Sequence, residues 1–558
     1  MKPENIKTSF SAPFFSGTPQ FIDAPIREIS LKQGVEAAWK EAFRQYGVLA
    51  ANHVHGAFAA AFSPKEGVHY LAVDRFAKKT LAYRFEGGIL EISDRADQLV
   101  QTDDPLDPQA VYGYFRSHVI HAPRTIFSSV KRVQAGHYVL ISGRSEDTAP
   151  YWLARFAKRS NSFETLAMEF SDLLCNAVKK TLPDAGKVGC FLSGGTDSST
   201  VAGVASRLLG RGVDTYSIGF AVEGYDESRF ADIAAKHFGT RHHQYYITPD
   251  DLVKGIPLVA AHYDQPFGNS SALPGYYCAK MAREDGVDVL LAGDGGDELF
   301  GGNSRYAKQK IFEAYKKIPR FIRHELLEPI APSVLSGPSL LRKIGSYITQ
   351  SSVSMPARAG LNGLLSKNAW EIFTPGLLSG FDMVEPLRQE QTVWNRIDGG
   401  FVEKMLAYDW RYTLAENDLP KVCGTTALAG VDVAFPLLDD DLLEFSMGLG
   451  EDYKVRGMKL RWFFKKALTG FLPAEILAKK KHGFGLPFGQ WVLSHDALRE
   501  LAVDSMQGLC DRGLIRRSAV HNLMNHQMPQ HPGYYGEMVW IMMMLEQWLR
   551  ARKPSFKV

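Results

Sequence analysis

The apolar run 188–192 stops at Ser193-Gly194-Gly195, and a helical face of Val201, Val204, Ala205, Leu208 and Leu209 follows at once. A buried strand that turns through glycines into a helix is half of a βαβ unit, and the rest of the chain must then supply parallel neighbours. Those neighbours are legible as the apolar runs 215–220, 244–247 and 287–292, with a helical pattern at 230–238 between them. Upstream, Phe163, Leu166, Phe170, Leu173, Leu174, Ala177 and Val178 recur at helical spacing. The alternation predicts an α/β fold with a doubly wound parallel sheet, whose ligands sit at the carboxyl ends of the strands. Residues 310–550 carry mostly helical patterns, and 330–395 give no readable period.

The first 150 residues follow a different rule. Residues 35–46 have helical spacing, while 57–62, 70–73, 88–92 and 137–141 are short apolar runs between turns, which predicts a β-rich unit. Residues 142–148 are small and polar and read as a linker. In a chain of 558 residues this gives two expected units, 1–150 and 151–558.

A balance of 64 Lys+Arg against 61 Asp+Glu leaves only +3, which argues against nucleic acid or a membrane surface as partner. The five cysteines (Cys175, Cys190, Cys278, Cys423, Cys510) form no C-x-x-C, as expected in a reducing compartment. The apolar run 539–545 is far short of the ~20 residues a bilayer requires. No apolar h-region follows Lys2, Glu4 and Lys7, so the expectation is a cytoplasmic enzyme.

Two loops carry the chemistry. Leu192, Ser193, Gly194, Gly195, Asp197 and Ser198 close the first strand and open its helix. Glycines let backbone N–H groups and a helix N-terminus approach an anion, and the serine hydroxyls add donors. The loop lacks the lysine of a Walker A motif and carries an acid instead, which suits pyrophosphate held with Mg²⁺. About a hundred residues on, Gly293, Asp294, Gly295, Asp297 and Glu298 set acids in a second glycine frame after another apolar run, again oxygen ligands suited to Mg²⁺.

Together these loops resemble the synthetase domain of class B asparagine synthetases, an N-type ATP pyrophosphatase. The likeness extends through Asp226-Glu227, Thr240 to His243, Asp264-Gln265-Pro266 with Ser270-Ser271, Asp409…Leu414…Lys421, Phe435 to Asp439 with Glu444-Phe445, and Leu472-Pro473…Lys481 to Phe484…Pro487…Trp491. It covers about residues 160–550. The resemblance implies an ATP- and Mg²⁺-dependent ligase in which a carboxylate attacks the α-phosphorus of ATP, giving an acyl-adenylate that an amine then opens. The first loop would hold pyrophosphate, Asp197 and Asp297 would bind Mg²⁺, and Lys481 would neutralise the departing phosphate. Asp432 with Tyr408 or Tyr412 would be the general-base dyad, by likeness to β-lactam synthetases. Where the family has D-R and E-V-R, this chain has Cys423-Gly424 and Asp432-Val433-Ala434, which points away from aspartate as the acid.

The N-terminal unit is similar to the later part of the family's Ntn-type glutaminase domain. His55 to Ala59 resemble G-x-F-A, Leu71 to Arg75 with Leu81 to Tyr83 resemble L-x-x-D-R…L-x-Y, and Ser93-Asp94 falls at S-E. The catalytic amino-terminal Cys of that domain has no counterpart, since no cysteine precedes Cys175. The resemblance therefore implies a truncated Ntn-type domain and an amine that is not drawn from glutamine. Macrolactam closure in a lasso-type precursor peptide, with a partner peptidase, is one expectation. An asparagine synthetase using free ammonia on a small acid is another, and a non-catalytic nucleotide-binding scaffold is a third.

Overall fold

The computed structural model describes residues 9–558 except 11, 102–103, 184, 317, 330–338, 361–364, 366–368 and 480–484. Its first part holds an antiparallel sheet of β1 (Phe14–Gly17), β2 (Phe58–Lys65), β3 (Val68–Val73), β6 (His137–Ser142) and β7 (Ser145–Pro150), in the order β7-β6-β3-β2-β1. The hairpin of β4 (Ala82–Glu86) and β5 (Ile89–Ser93) is the middle of a second sheet. The two-residue period of a strand assigns the faces. Ala60, Phe62, Tyr70 and Ala72 pack with Trp39 of α1 (Val35–Tyr46), whereas Ala59, Ala61, Leu71 and Val73 pack with Leu81, Tyr83 and Leu90 of the second sheet. Both faces of β2 and β3 are thus buried, which is why they read as unbroken apolar runs.

The segment expected as a linker is an edge strand instead. Residues 145–150 pair with 137–142 in regular antiparallel register. At an edge the backbone supplies the pairing and the side chains meet solvent, so small polar residues serve.

The parallel sheet consists of β8 (Val188–Phe191), β9 (Asp214–Phe220), β10 (Arg241–Ile247), β11 (Val289–Leu291) and β12 (Asp432–Ala434). Their order is β10-β9-β8-β11-β12 and all neighbours are parallel. Helix α2 (Phe163–Thr181) precedes the sheet; α3 (Thr196–Leu209) and α4 (Ser228–Phe238) follow β8 and β9, and α5 (Ala272–Glu284) leads to β11. The strand order reverses at β8, so the crevice between the ends of β8 and β11 is the switch point where such sheets bind ligands.

The remainder is mostly helical. Phe401–Asp409 continues through a π-helical stretch, Trp410–Asp418, into α6 (Leu419–Ala429). Within 330–395 the described parts include helices Ser339–Ser352 and Glu385–Arg396. Helix α7 (Pro532–Arg552) is sunk into the core, where Trp540, Met542, Met543, Met544 and Trp548 are packing residues. Among the described residues no helix is long and apolar enough to cross a membrane. The two parts of the chain are tied by Arg75, which pairs with Asp440, and by the Gly56 N–H, which donates to Asp440 Oδ2 at 2.7 Å.

Candidate active site

The first loop leaves β8 at the switch point and enters α3, whose N-cap is Gly195. Gly194 has φ +65°, and a Cβ there would lie 2.3 Å from the backbone of Phe230, so only glycine lets the loop lie against α4. The loop is tied to itself: the Ser193 N–H donates to Ser198 Oγ at 3.2 Å, and the two hydroxyls are 3.1 Å apart. Asp197 stands in the first turn of α3, beside the helix's free N–H groups.

The second loop leaves the adjacent strand β11. Its Gly293 passes so close to the first loop that a Cβ would lie 2.7 Å from the Ser198 nitrogen. The two loops therefore form one surface. They wall a cavity of about 1220 Å³ lined by Leu192, Ser193, Gly195, Asp197, Ser198, Gly293, Asp294, Gly295 and Asp297. Gly194 is the only one of the loop residues singled out in the sequence that serves from behind this wall.

Asp197 and Asp297 meet on one side chain that the sequence did not single out. The Arg461 guanidinium binds both carboxylates, with Nη2 at 2.7 Å from Asp197 Oδ2, and also binds the Thr196 hydroxyl. Arg461 is 4% exposed and has φ +53°, so its backbone is bent to bring the guanidinium in. Two carboxylates converging on one cation fit Mg²⁺, which takes one or two protein carboxylates and completes its shell with phosphate oxygens and water. Among the described residues no group of three or more His, Cys, Asp or Glu offers a fuller cage.

The cavity is polar in a second sense. Its basic end carries Lys459, Arg461, Lys465, Lys466 and Lys479. Lys479 Nζ donates to Glu227 at 3.0 Å and lies 3.4 Å from the Ser193 carbonyl oxygen. The other end carries Asp294, Glu298 and Asp418 around Lys421, whose Nζ is 3.0 Å from Asp418 and 4.0 Å from Asp294. Burial pushes the Asp294 carboxyl up to about 6, against the opposing pull of the Lys421 ammonium. Glu298 is raised well above the ordinary range, first by burial and then by Asp418 and Asp409.

The structure does not assemble the expected Asp432–tyrosine dyad. Asp432 opens β12 opposite Val289, at the amino-terminal end of the sheet, and is exposed; the loops leave from the other end. Tyr408 is buried beside Trp394, and Tyr412 packs on Tyr408 and His121. None of the three lines the cavity. Lys481 lies outside the described residues. His242 and His243 point apart, to Thr215 and Asp214 respectively, as adjacent strand residues must.

An α/β chain with a glycine-and-acid cavity at the switch point of a parallel sheet belongs to the ligand-binding doubly wound class. The asparagine synthase family profile matches residues 169–550 and the glutamine amidotransferase domain profile matches residues 39–152. The chain belongs to the asparagine synthase family, which makes it an asparagine synthetase-like, ATP-dependent amidating ligase by class. It is 27% identical over 456 residues to asparagine synthetase [glutamine-hydrolyzing] 1 of Bacillus subtilis, covering 81% of this chain and 71% of that protein. It is 27% identical to a putative asparagine synthetase [glutamine-hydrolyzing] of Mycobacterium tuberculosis, of which it spans only 61%. Amidase chry2 of Gibberella zeae is 25% identical over 292 residues, 49% of this chain and 43% of that protein.

Proposed function

We propose that the protein adenylates a substrate carboxylate with ATP, releases pyrophosphate, and joins the activated acyl group to an amine that its own N-terminal unit does not make. The observation that carries this reading is the shared wall of the two loops, with Asp197 and Asp297 brought to one point between adjacent strand ends. A carboxylate is a poor electrophile at neutral pH, and conversion to an acyl-adenylate gives it a good leaving group. The N–H groups at the start of α3, the Ser193 and Ser198 hydroxyls and the basic end of the cavity suit the pyrophosphate. Asp197 and Asp297 would hold Mg²⁺, which neutralises charge on the phosphates when bound. Lys481, from its family position, would add a further positive charge.

At the acidic end Asp294 takes the base role that the sequence reading had given to Asp432. A carboxyl titrating near 6 is ionised at neutral pH yet basic enough to accept a proton from an attacking amine. Amide formation is accordingly expected to rise as pH passes through about 6, where Asp294 loses its proton. Asp294→Asn should lower the rate and remove that limb. A stopped-flow pH series on both proteins checks this, and an unchanged limb in the variant would assign it elsewhere.

Residues 1–174 contain no cysteine, and Cys175 sits on α2 in the second unit, so the amidotransferase-like part has no thiol nucleophile. The cavity exceeds the ~300–1,000 Å³ common for small-ligand sites, which favours an acid larger than a free amino acid. An intramolecular amide in a peptide or other natural product, made in the cytoplasm, fits that room better than asparagine does. ATP–pyrophosphate exchange over a panel of amino acids, small acids and peptides tests the whole reading. Exchange with at least one carboxylate is expected, without glutamate release from glutamine. Silence across the panel would leave a nucleotide-binding scaffold, and glutamate release by the pure protein would restore a glutaminase.

A further inference from the structure

Resting on the ligase reading, the charges at the acidic end define the second substrate more closely. We propose that this end binds the amine as its ammonium ion, with Glu298 and Asp418 as its anionic partners and Asp294 as its proton acceptor.

The argument is one of charge balance in a buried space. Three carboxylates, Asp294, Glu298 and Asp418, line this end, with Lys421 as their near cation. Lys421 is committed to Asp418 at 3.0 Å and reaches Asp294 only at 4.0 Å. Asp409, the next acid, is paired off with Arg305 at 2.7 Å and with the Tyr306 hydroxyl at 2.5 Å. Glu298 is different. It is 9% exposed and faces the cavity, and among the described residues its carboxyl meets no donor beyond its own backbone N–H. A buried carboxylate without a cation is costly, and here the missing cation has a cavity to enter from. The opposite end of the same cavity is basic and suits phosphates, so an ammonium is steered to the acid side and the carboxylate substrate lies between the two ends.

The chemistry balances. The ammonium gives one proton to the Asp294 carboxylate, which frees the nitrogen lone pair. That pair forms the C–N bond at the acyl carbon, and the C–O bond to the adenylate breaks with its electrons leaving on the phosphate. The surplus proton on nitrogen passes to the departing AMP.

Ammonium chloride and hydroxylamine separate this from a general loss of activity, because hydroxylamine is uncharged at neutral pH. Glu298→Gln is expected to lower kcat/KM for ammonium by about tenfold or more but that for hydroxylamine by about threefold at most, in line with the loss of one charge-assisted hydrogen bond. Glu298→Asp should recover part of the ammonium rate. An equal fall for both nucleophiles would overturn the proposal. A binding measurement stands apart from turnover and from the ligase reading: saturation-transfer NMR of methylammonium on the wild-type protein should give a signal, with methanol giving none. An absent methylammonium signal, or one that Glu298→Gln leaves at full strength, would overturn the proposal even if every exchange assay succeeded; the expected signal would uphold it even if no carboxylate supported exchange.

Discussion

Replacing Asp197 with Asn is expected to cut ATP–pyrophosphate exchange by about 10²–10³-fold, the usual size of effect when one charged or polar group aimed at a developing phosphate charge is lost. The side chain keeps its shape and still offers an oxygen to Arg461, so the loss is one of charge. Asp297→Asn should behave alike, because both carboxylates reach the same point from different strands. The pair should be far from additive, with the double variant little worse than either single one, as for groups acting as a unit. Exchange kinetics on the three variants decide it. Each variant should retain its fold, since Arg461 keeps one full carboxylate partner in either single change. Exchange within about threefold of wild type in Asp197→Asn would remove that residue from the phosphate site, because the expected loss is far larger.

The sheet and both loops were legible because the information is local. A strand buried on both faces is a continuous apolar run, and its glycine exit and acids lie within a few residues of it. The failures are of two kinds. Arg461 sits in a run of basic and aromatic residues, Lys459 to Lys466, that reads as an ordinary amphipathic surface. Its role comes from a backbone turn to φ +53° that brings it to carboxylates 264 positions away, and no periodicity records such a meeting. Asp432 failed differently. Its spacing to Pro436 locates it near a strand, but which end of that strand faces the ligand depends on the register with β11, and that register places it two residues upstream of the exit. Glu298 was read as a neighbour of Asp297, since only its burial sets it apart.

Arg461→Met is the complementary experiment and should mainly cost stability. The methionine fills similar space but leaves Asp197 and Asp297 facing each other, largely shielded from water, without a cation. Removing one member of a buried pair costs about 3–5 kcal/mol, most of it the penalty of the charge left behind. That penalty has two predicted cures. Asp197→Asn in the Arg461→Met background should recover a large part of it, because one of the repelling charges is gone. Millimolar Mg²⁺ should recover it too, and should raise the melting temperature of the variant more than that of the wild-type protein, in which the guanidinium already occupies the point between the carboxylates. Thermal melts of the four proteins with and without Mg²⁺ read both effects without any substrate. If Mg²⁺ shifts wild type and Arg461→Met equally, the two carboxylates do not form a cation site, and the guanidinium is an internal strut between α3 and the second loop and nothing more. If Mg²⁺ stabilises the variant selectively, Arg461 and the metal compete for the same charges, and the arginine is the group that keeps the two loops together until a nucleotide brings its own cation.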